Sequence, residues 1–196
     1  MNFHHNEDRQ MLADTLGRYL QQRYPIETRH TISGSEAGWS PEHWAALAEL
    51  GVPGALIDQD AGGFGGTGFD IAAVFEQLGR ALAVEPYLGL LMAARALVRA
   101  GGHEALLGEA MAGGAVLAFA HEESQSRYDL ADVATRAERA GGGWALTGSK
   151  AVVFQAEAAD RILVSARVSG AAGDETGIGL SSSRRARPGS MCAAIR

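Results

Sequence analysis

An α+β protein, helical in its first part and built of antiparallel strands in its second, is the fold class that the sequence predicts. Two observations carry this. Up to Gly113-Gly114 the apolar residues recur at spacings of three and four, and beyond it at a spacing near two. No helical pattern returns between the later strand patterns, so the strands are expected to pair antiparallel within their own domain and not through helical crossovers.

The elements follow in order. Residues 7–24 place Met11, Leu12, Leu16, Tyr19 and Leu20 on one helical face, with Asn6 as N-cap and Glu7 and Asp8 at the positive end of the helix dipole; Pro25 ends or bends this helix. Ser40 and Pro41 open a shorter helix whose Trp44, Leu47 and Leu50 face inward, with Gly51 as its stop. A glycine-rich turn spans Ala61 to Gly66. Residues 69–83 show the clearest helical period, through Ile71, Val74, Phe75, Leu78 and Leu82. Pro86 interrupts it, residues 87–100 resume with Leu88, Leu91, Met92 and Leu97, and a last short helix covers about 103–112. Strands are expected at 115–120, 132–139, 143–148, 150–155 and 161–168, with Gly141-Gly142-Gly143 as a hairpin turn. A further strand begins at Gly177-Ile178-Gly179-Leu180 and meets three serines. From Ser181 to Arg196 neither period is visible, and this tail is expected to lack regular structure.

Composition excludes several classes of function. The formal net charge is −6, and the only basic cluster lies within residues 181–196, so the body of the chain is acidic and no nucleic-acid partner is expected. The single Cys192 allows no internal disulfide framework, and the six histidines show no metal-ligand spacing beside a carboxylate. There is no apolar signal core, and no apolar run approaches the ~20 residues that span a bilayer, so a soluble, cytoplasmic protein is expected.

The motifs are few. Gly63, Gly65 and Gly68 match G-x-G-x-x-G, but no strand–turn–helix unit with a returning parallel strand surrounds them. The structural reading is a turn that needs positive φ. Glu122-Glu123, beside His121 and just past the first strand, admits three readings: a catalytic dyad, a solvated strand end, or a loop that lines a ligand. Neighbouring strand residues point to opposite faces, so the two acids need not share a proton.

Four segments together resemble the N-terminal portion of the acyl-CoA dehydrogenases. DQDAGGFGGTGFD is similar to that family's acidic turn with Y-G-G before a long helix, with Ala61 in place of Tyr. FEQLGRALAVEPY is similar to its E-E-L-G-R-A stretch. AFAHEESQSRYDLADVATRAE is similar to the β-domain opening around T-E-P-x-A-G-S-D, and WALTGSKAVVFQAEAADRILVSAR to the W-x-L-x-G-x-K-x-x-I-T-N-G-x-x-A-D strand pair. Order and spacing agree over most of residues 5–180. The opening also resembles the H-x-E-P-Q-x-R-Y-D of pimeloyl-CoA dehydrogenase-like small subunits.

The resemblance implies a helical domain over 1–113, an incomplete β-domain over 114–180 and an aberrant, disordered tail over 181–196, with the family's C-terminal helical bundle absent. A shifted reading frame on a truncated enzyme, or a genuine short end, would account for such a tail. The resemblance further implies FAD as cofactor, acyl-CoA as substrate and a homo- or hetero-oligomer with other subunits of the family. It places Phe119, His121, Glu122, Ser124, Val153 and Phe154 at the flavin and Tyr128 at the substrate. No catalytic residue and no metal ligand is assigned, because the family's catalytic base lies on the bundle. Departures are plain: Glu122 stands for the usual Thr, Ser124 for Pro, Arg127 for the second Gly, Tyr128 for Ser, and Val152-Val153-Phe154-Gln155 for W-I-T-N. The expected activity is that of a fragment of an FAD-dependent desaturase inactive by itself. The alternatives are a non-catalytic small subunit and an independent helical interaction module.

Overall fold

The structure, a computed structural model, describes residues 6–184 and 192–195. The chain forms two compact units. The first comprises residues up to Tyr87 together with Ala94–Ala115; the second comprises Leu88–Ala93 and the chain from Val116 onward.

The first unit is helical. Helix α1 (Glu7–Arg23) starts where expected, and the Asn6 side chain accepts from the Arg9 amide at 2.9 Å. Helix α2 (Ile26–Ser33) is not legible in the sequence: Pro25 serves as its N-cap, where the missing N–H costs nothing. Helix α3 (Pro41–Glu49) begins at the predicted Ser40 cap, and Gly51 takes the left-handed conformation after it. A short helix α4 (Val52–Ala55) follows. Helix α5 (Gly68–Arg80) opens on a capping box between Thr67 and Asp70, and Asp70 also receives Arg9 Nε at 2.8 Å, which ties α5 to α1. It ends before the expected residue 83. Leu82 adopts φ +52° and is 56% exposed, so it faces out and not in. Met11 is likewise exposed. Leu16, Leu20, Trp44, Leu47, Val52 and Val74 form the heart of this unit's core. Helix α6 (Tyr87–Ala100) and α7 (Glu104–Met111) lie close to their predicted spans. In the glycine-rich turn, a Cβ at Gly63 or Gly65 would collide with the carbonyls of Ile57 and Ala55, while Gly62 and Gly66 have φ of +86° and +82°. The turn is a close-approach structure, as the structural reading holds.

The second unit is a six-stranded mixed sheet: β1 (Leu117–Ala120), β2 (Arg136–Ala140), β3 (Gly143–Thr147), β4 (Arg161–Arg167), β5 (Ile178–Arg184) and β6 (Cys192–Ile195). The pairings β4–β2–β3–β6–β5–β4 close a ring, with β1 beside the first half of β4. The purely antiparallel expectation is corrected here. β1 runs parallel to β4, with Leu117 opposite Arg161 and Ala120 opposite Val164. The crossover between them is made by the β2–β3 hairpin and not by a helix, so no change of period announces it.

Two further expectations are corrected. Residues 150–155 form no strand: Val152 and Gln155 have φ of +52° and +59°, incompatible with a pleated ladder. At the other end, β5 runs through Ser181 to Arg184, and Cys192–Ile195 forms β6, so regular structure extends into the tail expected to lack it. Ser181 and Ser183 are buried, in register with Val164 and Ile162 of β4. A strand that buries serines lacks the apolar alternation by which strands are recognised. Residues 185–191 and 196 lie outside the described residues. The core of this unit joins Val116, Leu117, Val133, Leu163 and Val164, with Trp144 and Leu146 packed on Ala137 and Ala166. Leu88–Ala93 of α6 belongs here because Gly89 lets the backbone come close: its amide donates to Gln155 Oε1 at 2.7 Å, and an added Cβ would lie 2.9 Å from the Leu117 carbonyl. Among the described residues no helix is long and apolar enough to cross a membrane.

Candidate functional site

The seven predicted site residues lie on two stretches of the sheet unit, the end of β1 with the loop after it (Phe119, His121, Glu122, Ser124 and Tyr128) and the loop between β3 and β4 (Val153 and Phe154), and the structure links these stretches at residues 121–123 and 150–151. The Ala151 amide donates to the Glu122 carbonyl at 2.8 Å. Lys150 reinforces this link. Its Nζ donates to the His121 carbonyl at 3.0 Å, to Glu123 Oε1 at 2.7 Å and to Ser165 Oγ on β4 at 3.1 Å. The ion pair is buried, with the two side chains 8% and 3% exposed.

Glu123 has further partners. Its Oε1 accepts from the Thr135 amide at 3.0 Å, and its Oε2 from the Ala134 amide at 2.9 Å and from Gln125 Nε2 at 2.7 Å. Burial by itself would push this carboxyl up; the Lys150 ammonium, then donors on Thr135 and Gln125, outweigh burial and bring it down to about 2. Lys150 is held below its ordinary value, because burial outweighs the attraction of Glu123. A carboxylate this well satisfied is a strut, with no lone pair left over for proton abstraction. Of the three readings of Glu122-Glu123, the dyad is therefore not supported: Glu123 turns inward and Glu122 stays partly exposed.

The remaining predicted residues surround this strut. Phe119 on β1 and His121 are half-buried and stacked, with ring centroids 5.7 Å apart and planes at 17°. His121 Nδ1 lies 2.9 Å from Ser165 Oγ. Burial, then the Lys150 charge, holds this imidazole below its ordinary value. Val153 is half-buried and Phe154 is 47% exposed, next to Val152 at 71%. Ser124 is exposed. Tyr128 is 91% exposed and has φ +74°, beside Arg127 at +44°. Four side-chain-bearing residues with positive φ on two loops, one of them a β-branched valine, are costly conformations of the sort that concentrate at ligand sites.

Composition and spacing missed Lys150, Ser165, Gln155 and Arg167. Lys150 was visible as the Lys of the W-x-L-x-G-x-K segment and Gln155 as the departure from its W-I-T-N; nothing in the sequence distinguished Ser165 or Arg167. Arg167 is buried at the end of β4, and its guanidinium donates to the carbonyls of Ala131 at 2.7 Å, Val133 at 3.4 Å, Asp174 at 2.9 Å and Thr176 at 2.6 Å, which fixes the segment leading into β2. A separate cleft of 460 Å³ in the helical unit, lined by Arg9, Phe64 and Asp70 among others, contains none of the predicted site residues.

Comparison with known proteins gives the family and the fold. The family described as acyl-CoA dehydrogenase, N-terminal domain, matches residues 6–106. Acyl-CoA dehydrogenase IpdE2 of Mycolicibacterium smegmatis is 32% identical over 136 residues, which is 68% of this chain and 43% of the relative. Among solved structures, a variant of the Tcur3481-Tcur3483 steroid ACAD superposes with a TM-score of 0.78 at 26% identity, covering 96% of this chain and 54% of its own. The ChsE4-ChsE5 complex from Mycobacterium tuberculosis shares the fold, with a TM-score of 0.76 at 24% identity over 100% of this chain and 55% of its own. The chain thus spans about half the length of the relatives it matches.

Proposed function

Because the chain belongs to the acyl-CoA dehydrogenase family, we propose that its sheet unit forms the flavin side of a site for α,β-desaturation of acyl-CoA thioesters. The observation that carries this reading is the pinning of residues 121–123 to residues 150–151 through Lys150 and Glu123, beside the outward-facing Val152 and Phe154. These residues fit a flavin: an apolar surface from Phe119, Val153 and Phe154 suits the flat ring, and the backbone amides of Ser124 and Val153 suit its polar edge. The Thr hydroxyl usual in the family is replaced by Glu122, so side-chain hydrogen bonding there falls to His121.

FAD, when bound, supplies the hydride acceptor. The chain's own residues bind and orient. Phe119 and Phe154 keep water from the ring, the Glu123–Lys150 pair holds the two loops at fixed separation, and Tyr128 meets the acyl-CoA. Removal of the α-proton requires a carboxylate with a free lone pair. Glu123 lacks one, so we assign the proton acceptor to a residue outside these 196, as the resemblance to a family with a bundle-borne base implies. The alternative is a non-catalytic small subunit that completes a larger homologue; the two-component Tcur3481-Tcur3483 and ChsE4-ChsE5 relatives favour a heteromeric setting of this kind.

A visible spectrum of the purified chain, alone and with a larger acyl-CoA dehydrogenase subunit, tests the reading. Flavin absorbance near ~450 nm that bleaches on adding an acyl-CoA only in the paired preparation is expected. Absence of flavin from both preparations overturns it, and steady thioester oxidation by the chain alone overturns the assignment of the base.

A further inference from the structure

We propose that Lys150 and Ser165 lock His121 as a neutral imidazole with its proton on Nε2, so that residue 121 offers a bound ligand one fixed hydrogen-bond donor. The ligand half of this inference rests on the flavin reading above; the lock itself does not.

An ammonium has three N–H donors and no acceptor. Lys150 directs them at the His121 carbonyl, Glu123 Oε1 and Ser165 Oγ. Ser165 therefore accepts from Lys150. Its side chain is buried, with the residue 1% exposed, so no water is at hand for its own hydroxyl proton. The remaining partner of Ser165 Oγ among the described residues is His121 Nδ1, at 2.9 Å. The hydroxyl donates to Nδ1, which must then carry a lone pair, and the ring proton resides on Nε2. An imidazolium would turn an Nδ1–H toward an oxygen already facing the Lys150 cation. The groups that bear on the ring are Lys150, which opposes that charge, and Glu122 and Glu123, which favour it. Burial is the largest influence against the imidazolium, and burial together with Lys150 outweighs the two carboxylates. The stack on Phe119 fixes the ring plane. Position 121 is thereby a donor that neither switches to an acceptor nor gains charge near neutral pH, which suits an acceptor heteroatom at a flavin edge.

Long-range 1H–15N correlation spectra of the 15N-histidine-labelled full chain at neutral pH test the lock without any flavin. A pyridine-like Nδ1 and a pyrrole-like Nε2 at His121 are expected, and the variant Ser165→Ala should convert this single tautomer into a mixture. An imidazolium, or a proton on Nδ1, in the wild-type spectrum overturns the proposal whether or not Ser165→Ala folds. In the FAD-loaded preparation the Hε2 resonance of His121 should shift, and His121→Phe should weaken FAD retention about fivefold, the worth of one ordinary hydrogen bond. Loaded FAD with an unmoved Hε2 overturns the donor role and leaves the flavin reading standing. Failure of any preparation to take up FAD overturns the flavin reading, while the first spectrum still decides the lock.

Discussion

Replacing Glu123 by Gln would leave the Lys150 ammonium, 8% exposed, beside an amide that cannot neutralise it. Breaking a buried pair from one side costs about 3 kcal/mol or more, so Glu123→Gln should lower Tm by roughly 6–12 °C in a thermal melt. Changing both partners together, Glu123→Met with Lys150→Leu, should recover only part of that loss, because the unpaired charge is gone while the Ala134 and Thr135 amides lose their acceptor. The same residues set the response to acid. The folded-state Glu123 carboxyl titrates at about 2, below its ordinary value of 4.5, so its stabilisation is complete above that ordinary value and is lost as pH falls from about 4.5 toward 2. His121 is also held down, from an ordinary 6.5, and contributes in the same direction: stability declines as pH drops below 6.5, because the unfolded chain takes up the proton more readily. Urea unfolding between pH 8 and pH 3 should therefore show a progressive loss on the acid side that is smaller in Glu123→Gln. Little of this was legible beforehand. Lys150 and Glu123 stand 27 positions apart, and no local rule pairs them.

Elements differ in how openly the sequence declares them. Helix α5 is readable from its apolar stripe, while its Thr67–Asp70 capping box comes from the structure; Thr67→Ala should cost about 1 kcal/mol by removing the cap, measured as a shift in denaturation midpoint. Helix α2 escaped notice because it buries no residue and so has no stripe to read. Strand β4 is readable from Arg161 to Arg167 as an apolar run, yet its ending in a buried arginine is not. Arg167→Met should take the guanidinium donor from four carbonyls, of which Ala131 keeps the Val133 and Gly173 amides, and destabilise the sheet unit by about 3 kcal/mol, detectable as early loss of amide protection around Ala131–Thr135 and Asp174–Thr176. The stretch 150–155 reads as a strand because Val152, Val153 and Phe154 carry strand-forming side chains. Positive φ at Val152 and Gln155 and the inward Lys150 prevailed over that propensity.

For the molecule as a whole, local order determined more than pairing did. Periodicity alone separated a helical from a sheet portion near Gly113-Gly114, and the two compact units part at Ala115 and Val116. Four motif segments in order pointed to the family that residues 6–106 match. These features were available because period, capping and motif spacing are written over a few consecutive residues. Which strands meet, that β1 lies parallel to β4, that Leu88–Ala93 joins the sheet unit, and that Glu123 is spent on Lys150 all depend on contacts between distant positions. Those contacts are chosen by burial and by the need to satisfy every buried polar group, and both are settled only when the chain has closed on itself.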